Sequence, residues 1–96
     1  MARKVVWTGP GWEDLESAAK YIARDSEFYA ATLVQEANEA AMSLTDFGER
    51  GQVVPEFGDE SIRELLVKPY RLVYKMTYEH VFIVAFIHGA ERLWRI

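Results

Sequence analysis

The chain has 96 residues and no cysteine. Disulfide scaffolds, thiolate zinc sites and cysteine nucleophiles are therefore excluded. Histidine is scarce as well. His80 and His88 stand eight residues apart with a strand pattern between them and no carboxylate cluster beside them, so no metal site is expected. Glycine-rich phosphate loops and nucleophile elbows are missing, and no cofactor is expected. The longest unbroken apolar run is Val81 to Ile87, far below the roughly 20 residues of a membrane helix. Met1-Ala2-Arg3-Lys4 passes straight into Val5-Val6-Trp7-Thr8-Gly9-Pro10, too short and too soon broken for a signal-peptide core. A cytoplasmic protein without membrane attachment is the expectation.

What is present is an ordinary globular balance, half apolar and 27% charged, which excludes wholesale disorder. The length suits one domain spanning residues 1–96. Net charge is −4, which argues against a general polyanion binder. The charge is unevenly placed: residues 1–60 carry 5 basic and 12 acidic side chains, residues 61–96 carry 6 basic and 3 acidic. Either these are solvated charges placed by chance, or the fold has one acidic layer and one mildly basic layer.

Lys4-Val5-Val6-Trp7-Thr8 reads as a short first strand, stopped by Gly9-Pro10-Gly11. From Trp12 the period changes: Leu15, Ala18, Ala19 and Ile22 share one helical face. Asp25 and Ser26 offer N-caps for a second helix to about Phe47, with Gly48 expected as its left-handed stop. A link of two or three residues makes the pair an antiparallel hairpin. The second helix carries a wide apolar stripe that includes Leu33 and Ala40. Residues 48–60, with three glycines and a proline, read as a loop. Three strands follow, Ile62–Lys68, Tyr70–Tyr78 and Val81–His88, joined tightly at Pro69 and Glu79-His80 as an antiparallel meander. In the middle strand Leu72, Tyr74 and Met76 alternate with Arg71, Val73, Lys75 and Thr77, so one face is expected inward and the other outward. The order describes an α+β domain, an N-terminal strand and a helical hairpin packed on an antiparallel sheet.

Catalysis would have to come from Arg, Lys, Glu, Tyr and His, an inventory suited to acid–base and phosphodiester chemistry. Arg63, Arg71 and His88 lie on three strands that neighbour one another in the meander, and Glu56 sits in the loop feeding the first. Each also has a plainer reading: two arginines solvating an outer face, a histidine ending a strand, an ordinary loop carboxylate.

Several strings taken in order resemble the RelE/ParE toxin superfamily. They are Val6-Trp7-Thr8, Asp14-Leu15-Glu16, Tyr21-Ile22-Ala23, Val53-Val54-Pro55-Glu56, Ile62-Arg63-Glu64-Leu65, Tyr70-Arg71-Leu72-Val73-Tyr74 and Ile87-His88-Gly89-Ala90. The resemblance covers nearly the whole chain and implies the toxin of a type II toxin–antitoxin module, a plasmid-stabilisation and growth-inhibition function held in check by a cognate antitoxin in a hetero-oligomer. It implies one of two targets: RelE-like members cut mRNA in the ribosomal A site, and ParE-like members poison DNA gyrase. In the nuclease branch Glu56, Arg63, Arg71 and His88 would be catalytic, with no metal. This sequence departs from that branch at two points. Glu91 follows His-Gly-Ala where many relatives carry arginine, with Arg92 after it, and no tyrosine stands near the C-terminus, where Trp94 cannot donate a useful proton. A sequence pI near 5.1 also suits an rRNA-lined cavity poorly. The expectation is therefore the gyrase-directed branch, with toxicity carried by the hairpin or the tail from Arg92 through Trp94 to Ile96. A third alternative is a non-toxic binding partner in a regulatory complex. For the antitoxin, a segment ordering along the hairpin and a sheet edge is expected, with Leu33 as a contact.

Overall fold

The computed structural model describes residues 2–94. Its elements run β1 (Lys4–Trp7), α1 (Gly9–Ala23), α2 (Glu27–Ser43), β2 (Gln52–Val53), β3 (Ile62–Val67), β4 (Tyr70–Met76) and β5 (His80–His88). The five strands form one sheet in the order β1-β5-β4-β3-β2. The expected meander β3-β4-β5 is antiparallel throughout. The N-terminal strand joins at the edge and runs parallel to β5, from Lys4 opposite His80 to Trp7 opposite Ile83, so the sheet is mixed. The glycine-rich loop contributes a two-residue strand, β2, on the far edge.

The helix boundaries differ from the expectation, each for a local reason. Gly9-Pro10-Gly11 does stop the first strand, but it forms the first turn of α1. Thr8 is the N-cap: its hydroxyl accepts from the Gly11 N–H (3.2 Å) and donates to the Ile83 carbonyl (2.7 Å). That pins the helix start to β5 so closely that a Cβ on Gly11 would collide with the Ile83 carbonyl. At the other end α2 closes at Ser43, with Leu44 still right-handed and its N–H turned back to the Ala41 carbonyl. Gly48 is not the left-handed residue; that conformation belongs to Gly58 in the loop before β3. Gly48 is small for another reason: a Cβ there would stand 2.9 Å from both Arg3 Nη1 and Met76 Sδ.

The hairpin covers one sheet face, α1 against β5 and α2 against β3. Between them lies the main core, including Leu15, Leu33, Leu44, Leu72, Tyr74 and Ile83. Full burial of each aliphatic side chain in such a core is worth about 1.5–3 kcal/mol. The opposite face is not outward as expected. Val54, Ile62, Val73, Ala85, Ile87 and Leu93 form a second core there, roofed by the loop before β3 and by the chain after β5. A bulge reconciles β5 with both cores: Tyr74 pairs with Ile83 and Val73 with Ala85, leaving Val84 as the extra residue. Val81 and Ile83 face the helices before it, and Phe86 does so after it. The unbroken apolar run Val81–Ile87 thus marks a strand buried on both faces.

Tyr74 is fully buried beneath the helices. Its hydroxyl donates to the Gly48 carbonyl (2.6 Å) and accepts from the Gly51 N–H (3.0 Å). One phenol therefore fastens the loop between α2 and β2 to the sheet centre.

Candidate functional site

Strand parity places the three candidate catalytic residues that lie on strands on two different sides of the sheet. Arg71 pairs with Ile87, which belongs to the second core. His88, one residue on, pairs with Tyr70 on the helix side, where its ring meets the Tyr70 ring edge-on at 6.0 Å. His88 Nδ1 accepts from the Ala90 N–H (3.2 Å). Arg63 pairs with Tyr74 and so shares the helix side of the sheet. Its guanidinium donates to the carbonyls of Glu60 (2.9 Å) and Gly51 (2.9 Å). Only Glu56 and Arg71 are brought together.

Their meeting is set up locally. The Phe57 and Gly58 N–H groups both turn back to the Val54 carbonyl, and Val54 is itself held by its N–H to the Ile62 carbonyl. Val54 anchors in the second core, so the tight turn swings Glu56 over the end of β4. Arg71 grips it with two parallel bonds, Nη1 to Oε2 (2.9 Å) and Nη2 to Oε1 (2.8 Å). Arg71 Nε donates to Glu64 Oε1 (2.6 Å), whose other oxygen accepts from Gln52 Nε2 (2.9 Å). Arg71 Nη1 also reaches the Glu91 carbonyl (3.1 Å), and Glu56 Oε2 accepts from the Leu93 N–H (3.1 Å).

Arg71, expected as an outward arginine of little structural weight, is instead 7% exposed and the hub of this network. The reason is the second core, which roofs its face. Two carboxylates hold its charge firmly, Glu56 chiefly, and raise its pKa further above the usual arginine range. The Arg71 bonds, helped by the Leu93 N–H, lower the Glu56 pKa from 4.5 to about 2. A carboxylate so stabilised in its charged form is a weak general base near neutral pH. Beside the pair lies a shallow cleft of about 400 Å³, walled by Pro55 and residues 89–92. Among the described residues, no cluster of three His, Asp or Glu could hold a metal ion.

The network fixes the chain after β5. Glu91 and Leu93 are tied to it, Leu93 is buried, and Trp94 stands 83% exposed with the Arg92 guanidinium 5.4 Å from its ring. Arg95 and Ile96 of the tail lie outside the described residues. Leu33, expected as an antitoxin contact, is 6% exposed in the main core between the hairpin and the sheet. An apolar groove on the hairpin lies next to it. Trp12, Leu15, Ala19 and Val34 line a groove of about 230 Å³ between α1 and α2, flanked by Glu16 and Lys20.

A sequence model described as the ParE toxin of the type II toxin–antitoxin system, parDE, matches residues 5–93. The chain belongs to the ParE toxin family. A solved structure entitled "Chromosomal ParDE TA system from P. aeruginosa" shares its fold, with a TM-score of 0.73 and 19% identity, covering 91% of this chain and 96% of the other. No curated protein sequence matches it. Sequence reasoning about this ParE-family chain did not find Glu64 or Gln52 as partners of Arg71. The available cue was the alternation Ile62, Glu64 on β3, which places a carboxylate on the face of the buried Val73.

Proposed function

We propose that this ParE-family toxin acts by binding, without RNA cleavage, and that its target is DNA gyrase. The observation that carries the reading is the state of Arg71. Four of its donor bonds go to Glu56, Glu64 and the Glu91 carbonyl. Meanwhile His88 and Arg63 belong to the other side of the sheet. A phosphorane needs a base, a charge stabiliser and an acid around one phosphate, and these residues are dispersed. What the network does instead is hold the tail, so Arg92 and Trp94 are offered to a target at a fixed place.

The same reading assigns the antitoxin to the hairpin groove. The stretch from Gly9 to Ser43 carries 7 acidic and 2 basic side chains, which suits a basic amphipathic segment setting apolar side chains between Trp12 and Val34.

Expression without antitoxin, with cellular RNA and plasmid topology followed in parallel, tests this. Growth arrest with lost negative supercoiling and intact mRNA is expected, and Trp94→Ala should relieve it without lowering the unfolding temperature. Cleaved mRNA would replace this reading with the endoribonuclease. Unimpaired growth would leave a non-toxic binding partner.

A further inference from the structure

The wall that α1 gives to the hairpin groove carries two opposite charges in a fixed order. Trp12, Glu16 and Lys20 follow one another at successive turns of α1, interleaved with Leu15 and Ala19, and Val34 lines the groove from α2. Four residues of helix put Glu16 and Lys20 about 6 Å apart along the axis. Both are exposed. They are spaced and ordered for an i,i+4 ion pair, yet they do not make one: among the described residues the ion pairs are those of Arg71. The fold therefore leaves both charges on the lip of an apolar groove without using either.

The order extends along the helix. From Gly9 to Ala19 there are three carboxylates, Glu13, Asp14 and Glu16, and no lysine or arginine; Lys20 and the C-cap Arg24 follow. Such an order also suits the helix dipole, but that effect falls off within the first and last turns, and Glu16 stands at the midpoint of α1. Arg24 Cζ lies 5.9 Å from the Tyr21 ring, and neither Arg24 nor Asp25 and Glu27 at the hairpin turn line the groove. The lining's own charges are thus one negative and one positive, a turn apart. A uniformly acidic wall would accept a basic segment in either direction. This wall favours a cation beside Glu16 and repels one beside Lys20, so it separates the two directions.

Resting on the groove's assignment to the antitoxin, we propose that Glu16 and Lys20 are specificity-determining residues: they fix the direction of the antitoxin segment by taking a basic side chain beside Glu16 and an acidic one beside Lys20, a helical turn apart around its apolar anchor.

The experiment titrates the purified full chain with the purified antitoxin protein, the one whose co-expression restores growth. Glu16→Lys and Lys20→Glu exchange one exposed helix former for another, so thermal unfolding should be unchanged. Each should weaken the pair roughly three- to tenfold. The exchanged chain, Glu16→Lys with Lys20→Glu, keeps the net charge and should bind more weakly than either single variant. Selection for antitoxin variants that again rescue the exchanged chain should return replacements of one charge sign by the other. The sign for Lys20→Glu is decisive, because a groove that merely attracts positive charge would bind tighter once it lost its own. Unchanged or tighter binding by Lys20→Glu, or wild-type affinity in the exchanged chain, would overturn the proposal and leave the groove as the antitoxin's site. Unchanged affinity in Ala19→Arg, which fills the groove, would overturn both.

Discussion

At the scale of single residues, two polar side chains show how much one residue can organise. Tyr74→Phe keeps the ring in the main core but leaves the Gly48 carbonyl and the Gly51 N–H without their phenol partner. Such orphaned groups cost about 1–3 kcal/mol. Urea unfolding should show that loss with an unchanged slope, because the fold itself remains. Glu56 makes a different prediction, in pH. Its folded pKa, about 2, lies below its ordinary 4.5. The folded state therefore prefers the charged form, and the stabilisation is fully present above 4.5 and is lost as pH falls toward 2. For this part-exposed carboxylate it amounts to roughly 2–3 kcal/mol. Urea midpoints across that window should fall more steeply for the wild type than for Glu56→Gln, which has no charge to lose. Parallel curves would show that the Arg71 pairing contributes no net stability.

At the scale of elements, the bond from β4 to its surroundings decides the behaviour of the far sheet face. Arg71→Met should cost about 3–5 kcal/mol, because it strands the Glu64 carboxylate at 6% side-chain exposure with its charge uncompensated. Adding Glu64→Leu should return much of that loss, since well-packed apolar replacements of buried ion pairs are often neutral or better. A double variant no more stable than the single, by urea unfolding, would show that the loss comes from Glu56 and the tail instead. The element order was legible in the sequence because period 3.6 before Gly48 and period 2 after Ile62 are local signals. The helix N-cap at Thr8 was hidden, because Gly9-Pro10-Gly11 looks like a loop until β5 is close enough to receive it. The roofed far face was hidden for a similar reason. Alternation along Leu72, Tyr74 and Met76 announces one buried side, but Arg71 and Lys75 on the other give no hint that Leu93 returns over Val73. Of the candidate site, Glu56 and Arg71 do meet; the separation of His88 and Arg63 depends on pairing register, which spacing does not specify.

At the scale of the whole molecule, charge and open apolar surface divide the protein into regions with different prospective partners. The helical stretch carries 7 acidic and 2 basic side chains, a net −5 against −4 for the whole chain, so the negative charge resides on the hairpin and the rest of the chain is close to balance. The hairpin also carries the apolar groove of Trp12, Leu15, Ala19 and Val34. The tail with Trp94 is held by the Arg71 network, which belongs to the opposite face of the sheet. If neutralisation and toxicity use these separate surfaces, a substitution can uncouple them. Ala19→Arg fills the groove and places a positive charge where a basic antitoxin segment would come. Ala19 is only partly buried, and arginine is a good helix former whose stem can lie along the surface, so stability should change by less than about 1 kcal/mol. The variant should arrest growth as the wild type does yet resist rescue by co-expressed antitoxin, with affinity reduced at least tenfold in a titration of the purified pair. Added salt should weaken the wild-type pair, as expected of a basic segment on an acidic face. Full rescue of Ala19→Arg at unchanged affinity would remove the groove from the antitoxin interface and leave the exposed edge of β1 as the next surface to test.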